Sequence, residues 1–151
     1  MAVHYRNAVR GSGVDGRQLV ATAKRLLGAI GRDDASLSVA LVNDAAIRTL
    51  NRAYRGKDKA TDVLSFPLDD SPAVQEGETL LGDVVISIET ARRQAADYDA
   101  PLQRELYRLL IHGVLHLVGH DHHRADERRV MEREERRLAS AIGMPWPYGK
   151  R

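Results

Sequence analysis

Five of the six histidines in this chain fall within twelve residues, His112–His123, in the string HGVLHLVGHDHH. No other part of the sequence restricts the fold as much. His112 and His116 are four apart, and Leu106, Leu109, Leu110 and Leu115 lay a helical apolar pattern around them, so the two imidazoles project from one helix face a turn apart. Gly119 can take the left-handed conformation that ends a helix, and the reversal lets His122 approach the first two from another direction. The fold must therefore carry a helix and a tight turn with one side open.

The chain has no cysteine, which removes thiolate ligands, disulfides and a cysteine nucleophile and leaves imidazole and oxygen as donors for any metal. Three imidazoles and a water form the tetrahedral set of a catalytic zinc site, whereas a structural zinc ordinarily takes four protein ligands. His112, His116 and His122 are therefore the expected ligands of one zinc ion per chain. A lone histidine on an apolar helix face is more often a satisfied core residue, but that explanation would have to hold three times here. His120 would share a face with His112 and His116 if the helix continued through Gly119. A straight helix would then separate His112 from His120 by about 12 Å of rise, too far for one ion with bonds of about 2 Å. His120, His123 and His4 are expected to face solvent or to support the ligands from behind.

The spacing H-x3-H-x2-G-x2-H is also that of the metzincin proteases, with Gly113 standing where their glutamate base would be. A peptidase working through that base is disfavoured. Glycine inside a helix costs about 1 kcal/mol relative to alanine, which suggests that a side chain at 113 would obstruct something near the metal; close helix packing is the alternative. No Gly-x-Ser-x-Gly elbow and no Gly-x4-Gly-Lys loop is present, so no motif supports a serine hydrolase or a nucleotide cofactor.

At 151 residues the chain can bury a core of its own. No repeat or low-complexity linker divides it, so residues 1–151 are expected to form one domain. Val3–Asn7 reads as a strand. Asp15 followed by Leu19, Val20, Ala23, Leu26, Leu27 and Ile30 at helical spacing, with Gly31 as the stop, reads as an amphipathic helix. Leu37, Val39 and Leu41 alternate with smaller residues as in a half-buried strand, and Asn43 or Asp44 can cap a helix to about Tyr54. Asp62–Phe66 and Asp83–Ile88, bounded by Pro67 and Gly82, read as two more strands, with a mobile acidic loop expected over residues 69–79. Glu89–Tyr98, a segment opened by Pro101 in its first turn and running to about Val118, and Asp126–Ile142 are helical. These elements make an α+β domain with four strands and about five helices. Arg124–Arg137 holds six Arg and five acids around Val130, Met131 and Leu138, which reads as a salt-bridged surface helix with no specific signal.

The net charge is only +2, yet Lys and Arg outnumber Asp and Glu 11 to 5 in residues 1–60 and are outnumbered 2 to 9 in residues 61–99. Arg48, Arg52, Arg55, Lys57 and Lys59 crowd around one acid, Asp58, in a run suited to binding phosphate. The competing explanation is a merely solvated loop, since 19 Arg against 4 Lys can reflect genome base composition. No apolar stretch approaches the roughly 18 residues of a membrane span, so a cytoplasmic protein without a membrane partner is expected.

Three strings in order, LNRAYRGKDKATDVLSFP, LLGDVVIS and HGVLHLVGHDH, give the sequence a further character. With them it resembles the YbeY endoribonuclease family, the bacterial rRNA maturation factors. That family carries its zinc ligands at the positions of His112, His116 and His122 and its functional arginine at Arg55 of YRGKD. Ala60 departs from a common proline and His120 from a common tyrosine, and neither is an expected ligand. The resemblance implies an α+β fold with a mainly four-stranded sheet and cleavage of single-stranded RNA at the 3′ end of small-subunit rRNA. It also implies ribosome quality control, with the small subunit as partner.

On this reading zinc activates a water and polarises the scissile phosphate, while Arg55 neutralises charge on its oxygens and Arg48, Arg52, Lys57 and Lys59 contact the RNA backbone. The attacking group is either that water or the RNA 2′-hydroxyl, which would leave a 2′,3′-cyclic phosphate. Asp121 is either the proton acceptor or a residue that orients a histidine. The rivals are a metallopeptidase and a ribosome-binding assembly factor whose zinc only stiffens the protein.

Overall fold

The structure is a computed structural model and describes residues 2–68 and 79–148. Its elements are β1 (Ala2–Asn7), α1 (Gly16–Ala29), β2 (Ala35–Val42), α2 (Asp44–Arg55), β3 (Val63–Pro67), β4 (Thr79–Ser87), α3 (Ile88–Asp97), α4 (Leu102–Leu117) and α5 (Ala125–Ala141). Local chemistry sets the boundaries. The Asp15 carboxylate accepts from the Gln18 amide at the start of α1, and Asn43 accepts from the Ala46 amide at the start of α2. Pro101 stands just outside α4 as its cap residue instead of in the first turn, and Ile88, read as the end of a strand, opens α3 behind the cap Ser87. The expected acidic loop falls outside the described residues except for Thr79, where β4 begins.

The four strands form one mixed sheet in the order β1-β2-β4-β3, with β1, β2 and β4 parallel and β3 antiparallel along the edge of β4. Strand β2 lies inside the sheet, and Ser36 and Val42 are buried along with Leu37, Val39 and Leu41. It is therefore more covered than a half-buried strand, because both faces of the sheet carry helices. On one face α1, α3, α4 and α5 share a core with Leu37, Val39, Leu41, Val84 and Ile86. On the other, Ile47 of α2 packs with Val42, Leu64 and Val85.

Helix α4 is anchored most deeply, with Leu106, Leu109, Leu110 and Ile111 at most 2% exposed. Each such side chain contributes about 1.5–3 kcal/mol by leaving water, so this helix is a rigid platform for whatever it carries. Its approach to the sheet depends on Gly82, which lies inside β4 and does not bound it. The register steps from Leu80 opposite Ser36 to Gly82 opposite Leu37, leaving Leu81 as the extra residue of a bulge. A Cβ at Gly82, where φ is +148°, would stand 2.5 Å from the Phe66 carbonyl oxygen and 2.8 Å from Leu117 Cδ2.

Candidate metal centre

His112 and His116 stand on the last turns of α4, half-buried, as their four-residue spacing requires. The helix then stops in a left-handed turn. Gly119 has φ +98°, its amide donates to the His116 carbonyl at 3.1 Å, and the His120 amide donates to the Leu115 carbonyl at 3.0 Å. This reversal brings His122 back over the helix. Its ring centre lies 5.7 Å from that of His112 and 5.2 Å from that of His116, and one nitrogen from each of the three rings falls within 4.8 Å of the others. His120 contributes no ligand atom to this group, and His123 lies outside it, stacked on His122 with ring centres 5.4 Å apart.

The donor set fits a small divalent cation. His112 Nε2 and His116 Nε2 face each other at 3.1 Å, close to the roughly 3.3–3.4 Å that tetrahedral bonds of 2.0–2.1 Å impose between two nitrogens. On the far side of its ring, His112 Nδ1 donates to Glu135 Oε2 at 3.1 Å. That bond fixes the tautomer with the Nε2 lone pair toward the cluster. Burial, and then the neighbouring His112 and His122, hold the His116 ring below its ordinary pKa against a hydrogen bond with the His120 backbone. The neutral form that binds metal is the favoured one. Asp121 accepts the His122 amide proton at 2.7 Å and lies 3.3 Å from His123 Nε2. The His122 amide bond first, with the neighbouring histidines, holds its carboxyl below the usual carboxylate range.

Glu135 is the residue that sequence reasoning missed. It sits on α5, in the segment read as featureless, between the buried Met131 and Leu138 at spacings of four and three. A carboxylate on the core-facing stripe of a helix is the signal that identifies it. Val130, grouped with that stripe, is 43% exposed and does not belong to it. Gly113 also has a different reason from obstruction near the metal. A Cβ there would meet Val84 Cγ1 at 2.8 Å and Ser65 Oγ at 3.1 Å, so the glycine lets α4 press onto the sheet. Through that gap Ser65 Oγ donates to the Gly113 carbonyl at 2.9 Å.

Arg55 belongs to the last turn of α2, not to a loop. Gly56, with φ +69°, caps the helix behind it, and the buried Asn51 holds the following segment by donating to the Lys59 carbonyl at 2.9 Å. The exposed Arg55 guanidinium donates to the Ser65 carbonyl at 2.7 Å and lies 5.9 Å from the Phe66 ring centre. One residue of β3 thus joins Arg55 to the helix of His112, although no hydrogen bond links Arg55 to the histidines among the described residues. Arg48 is bound to Asp58 through two hydrogen bonds of 2.8 and 3.2 Å, which neutralises the acid of the basic run. Arg52, Lys57 and Lys59 are exposed and form no ion pair among the described residues. A cavity of about 590 Å³ lies on the α2 side of the sheet, lined by His4, Tyr54 and Phe66 among others, and contains none of the three clustered histidines.

Known proteins resemble this chain in sequence and in fold. The chain is 51% identical over 128 residues to an endoribonuclease YbeY of Anaeromyxobacter dehalogenans, covering 85% of this chain and 65% of that protein. It is 48% identical over 135 residues to one of Myxococcus xanthus, covering 89% of this chain and 46% of that protein. It therefore spans under two thirds of these two relatives. The solution structure of TM1509 from Thermotoga maritima superposes with a TM-score of 0.57 at 22% identity, over 99% of both chains, and shares the fold. A family model described as Endoribonuclease YbeY matches residues 10–143, and a match of that extent, with relatives of such identity, means that the chain belongs to the YbeY endoribonuclease family.

Proposed function

We propose that this chain is a zinc-dependent endoribonuclease that cuts single-stranded RNA. Its substrate is the 3′ end of small-subunit rRNA, in maturation and ribosome quality control on the small subunit in the cytoplasm. Residues 1–151 act as one catalytic domain. The observation that carries this reading is the three-imidazole cluster, open on one side and backed by Glu135. His112, His116 and His122 would hold one zinc ion, which when bound supplies Lewis acidity toward a phosphate oxygen and acidifies water.

The chain's own residues do the rest. Glu135 keeps His112 in the tautomer that offers Nε2. Asp121, engaged with the His122 amide and His123, positions the turn that carries the third ligand. Arg55 receives charge developing on the phosphate oxygens, and its bond to the Ser65 carbonyl aims the guanidinium from the edge of the sheet. Arg52, Lys57 and Lys59 contact the RNA backbone, while Arg48, tied to Asp58, contributes less. A peptidase is disfavoured because Gly113 packs on the sheet at the position of the missing base. Among the described residues no helix is long and apolar enough to cross a membrane.

The test is cleavage of a labelled single-stranded RNA, with the duplex as control. Cleavage should stop on chelation and return with one equivalent of zinc. An intact RNA in the presence of zinc-loaded protein would leave the assembly-factor role instead, and products ending in 2′,3′-cyclic phosphate would identify the RNA 2′-hydroxyl as the attacking group.

A further inference from the structure

Beside the histidine cluster a second cavity, of about 320 Å³, is lined by His112 and His122 on one side and by α5 and the segment after it on the other. We propose that this cavity is a nucleoside subsite: it takes the nucleotide next to the scissile phosphate, with its base against Trp146 and its outer phosphate at Arg128 and Arg136. The proposal rests on the endoribonuclease reading and names where the RNA chain continues beyond the metal.

The lining has the three features a nucleotide needs. Trp146 is half-buried and its indole meets the Tyr148 ring edge to face at 4.9 Å, and Tyr148 meets Tyr98 in the same way at 4.6 Å. The Arg108 guanidinium, 4.6 Å from the Tyr148 ring centre, is itself held by the buried Glu105. These rings are thus fixed from behind before any ligand arrives, and a preformed aromatic surface binds a base of any identity by stacking. The cations come from α5. Arg128, Glu132 and Arg136 follow one another at four-residue spacing and line the cavity together.

Neither arginine forms an ion pair among the described residues. Glu135 is committed to His112, and Arg108 is balanced by Glu105. Arg128 and Arg136 are therefore the lining cations left without an ion-pair partner among the described residues, and although Glu132 and Glu135 balance them in count, the two guanidiniums offer a phosphodiester donors that no carboxylate occupies. The volume lies near the lower end of the roughly 300–1,000 Å³ of small-ligand sites, so it suits one nucleotide unit. A peptide would leave the arginines unmatched, and free phosphate would leave the indole unused.

Trp146 is the chain's only tryptophan, so its fluorescence reports this cavity. Zinc-loaded protein is titrated with adenosine 3′,5′-bisphosphate, which has no internucleotide bond to cut, and separately with inorganic phosphate. The bisphosphate should quench Trp146 saturably and inorganic phosphate should not. The double variant Arg128→Ala/Arg136→Ala, altered only at exposed positions, should bind about fivefold more weakly or worse. In cleavage, an RNA with one abasic nucleotide beside the cut should be a poorer substrate than the intact RNA, and Trp146→Leu should abolish that difference. Quenching by phosphate alone, unchanged affinity in the double variant, or an abasic effect that survives Trp146→Leu overturns the subsite. A protein that cleaves RNA with no response to the bisphosphate also overturns the subsite alone. One that binds the bisphosphate without cutting RNA keeps the subsite and removes the nuclease reading. A protein that does neither removes both.

Discussion

Replacing Glu135 measures how much of the metal affinity comes from a residue that never touches the metal. Its carboxylate, only 14% exposed, accepts from His112 Nδ1 at 3.1 Å. A hydrogen bond to a charged partner is worth about 1.5–3 kcal/mol, and little solvent reaches this one to screen it. In Glu135→Ala the His112 ring loses both its orientation and the fixed tautomer. The bond energy then converts to a zinc affinity weaker by about 10–100-fold, the size usual for a residue that supports a histidine ligand. Glu135→Gln keeps an acceptor but no charge, so its loss should lie between, at about tenfold. Competition against a chromophoric chelator at neutral pH reads the affinity, and the thermal midpoint of the metal-free proteins controls for folding. Zinc affinity within twofold of the parent in Glu135→Ala would refute the reasoning. So would a loss of affinity matched by an equal loss of metal-free stability, because Glu135 would then be a packing residue.

Other perturbations separate the remaining roles. His116→Ala should remove most bound zinc as read by metal analysis, whereas His120→Ala and His123→Ala should retain it, since neither ring contributes a ligand atom. Arg55→Ala should lower the single-turnover cleavage rate about a hundredfold at saturating RNA with zinc content unchanged, and Arg48→Ala should barely change it because Asp58 already occupies that guanidinium. Gly113→Ala sets an overpacking cost of about 1–3 kcal/mol against about 1 kcal/mol of helix propensity. A lower midpoint by a few degrees with normal zinc content would place the clash at the sheet, and lost zinc with a normal midpoint would place it at the metal. In metal-free protein the unfolded chain protonates His116 near its ordinary value of 6.5, while burial first and the neighbouring histidines second lower the folded value. That stability is therefore whole above pH 6.5 and declines as pH falls through the lowered value, which midpoints measured on either side will read.

What could be read in advance was whatever a periodicity or a cap encodes locally. The metal cluster was legible because two ligands share a helix face and the third follows a glycine that can only turn the chain. Asp15, Asn43 and Gly31 marked helix ends for the same reason, since each satisfies or releases backbone groups within a few residues. The extent of β4 is hidden in the sequence because Gly82 looks like a terminator, whereas its positive φ serves a bulge whose partner residues lie in β2. The burial of β2 on both faces was hidden because α2 folds onto the second face, and no pattern within β2 records that. Glu135 is hidden among ten charges of both signs along α5, and only the positions of Met131 and Leu138 distinguish it.

The relation between Arg55 and the histidines depends on two contacts made by one residue of an edge strand. Because β3 has a neighbour on one side only, its Ser65 carbonyl can accept from Arg55 instead of from a further strand. The Ser65 hydroxyl, turned the other way, reaches the Gly113 carbonyl, and it can do so only because position 113 has no side chain. Helix α4 can in turn seat its last residue, Leu117, only because Gly82 leaves room beneath it. Two glycines far apart in sequence therefore set the distance between the helix that carries two ligands and the strand that holds the arginine. The cost of a glycine within a helix is about 1 kcal/mol, small against the burial that follows when α4 closes on the sheet. The separation of Arg55 from the imidazoles thus depends on how closely α4 packs on β3, and any substitution that lifts α4 from β3 should move the imidazoles away from the guanidinium.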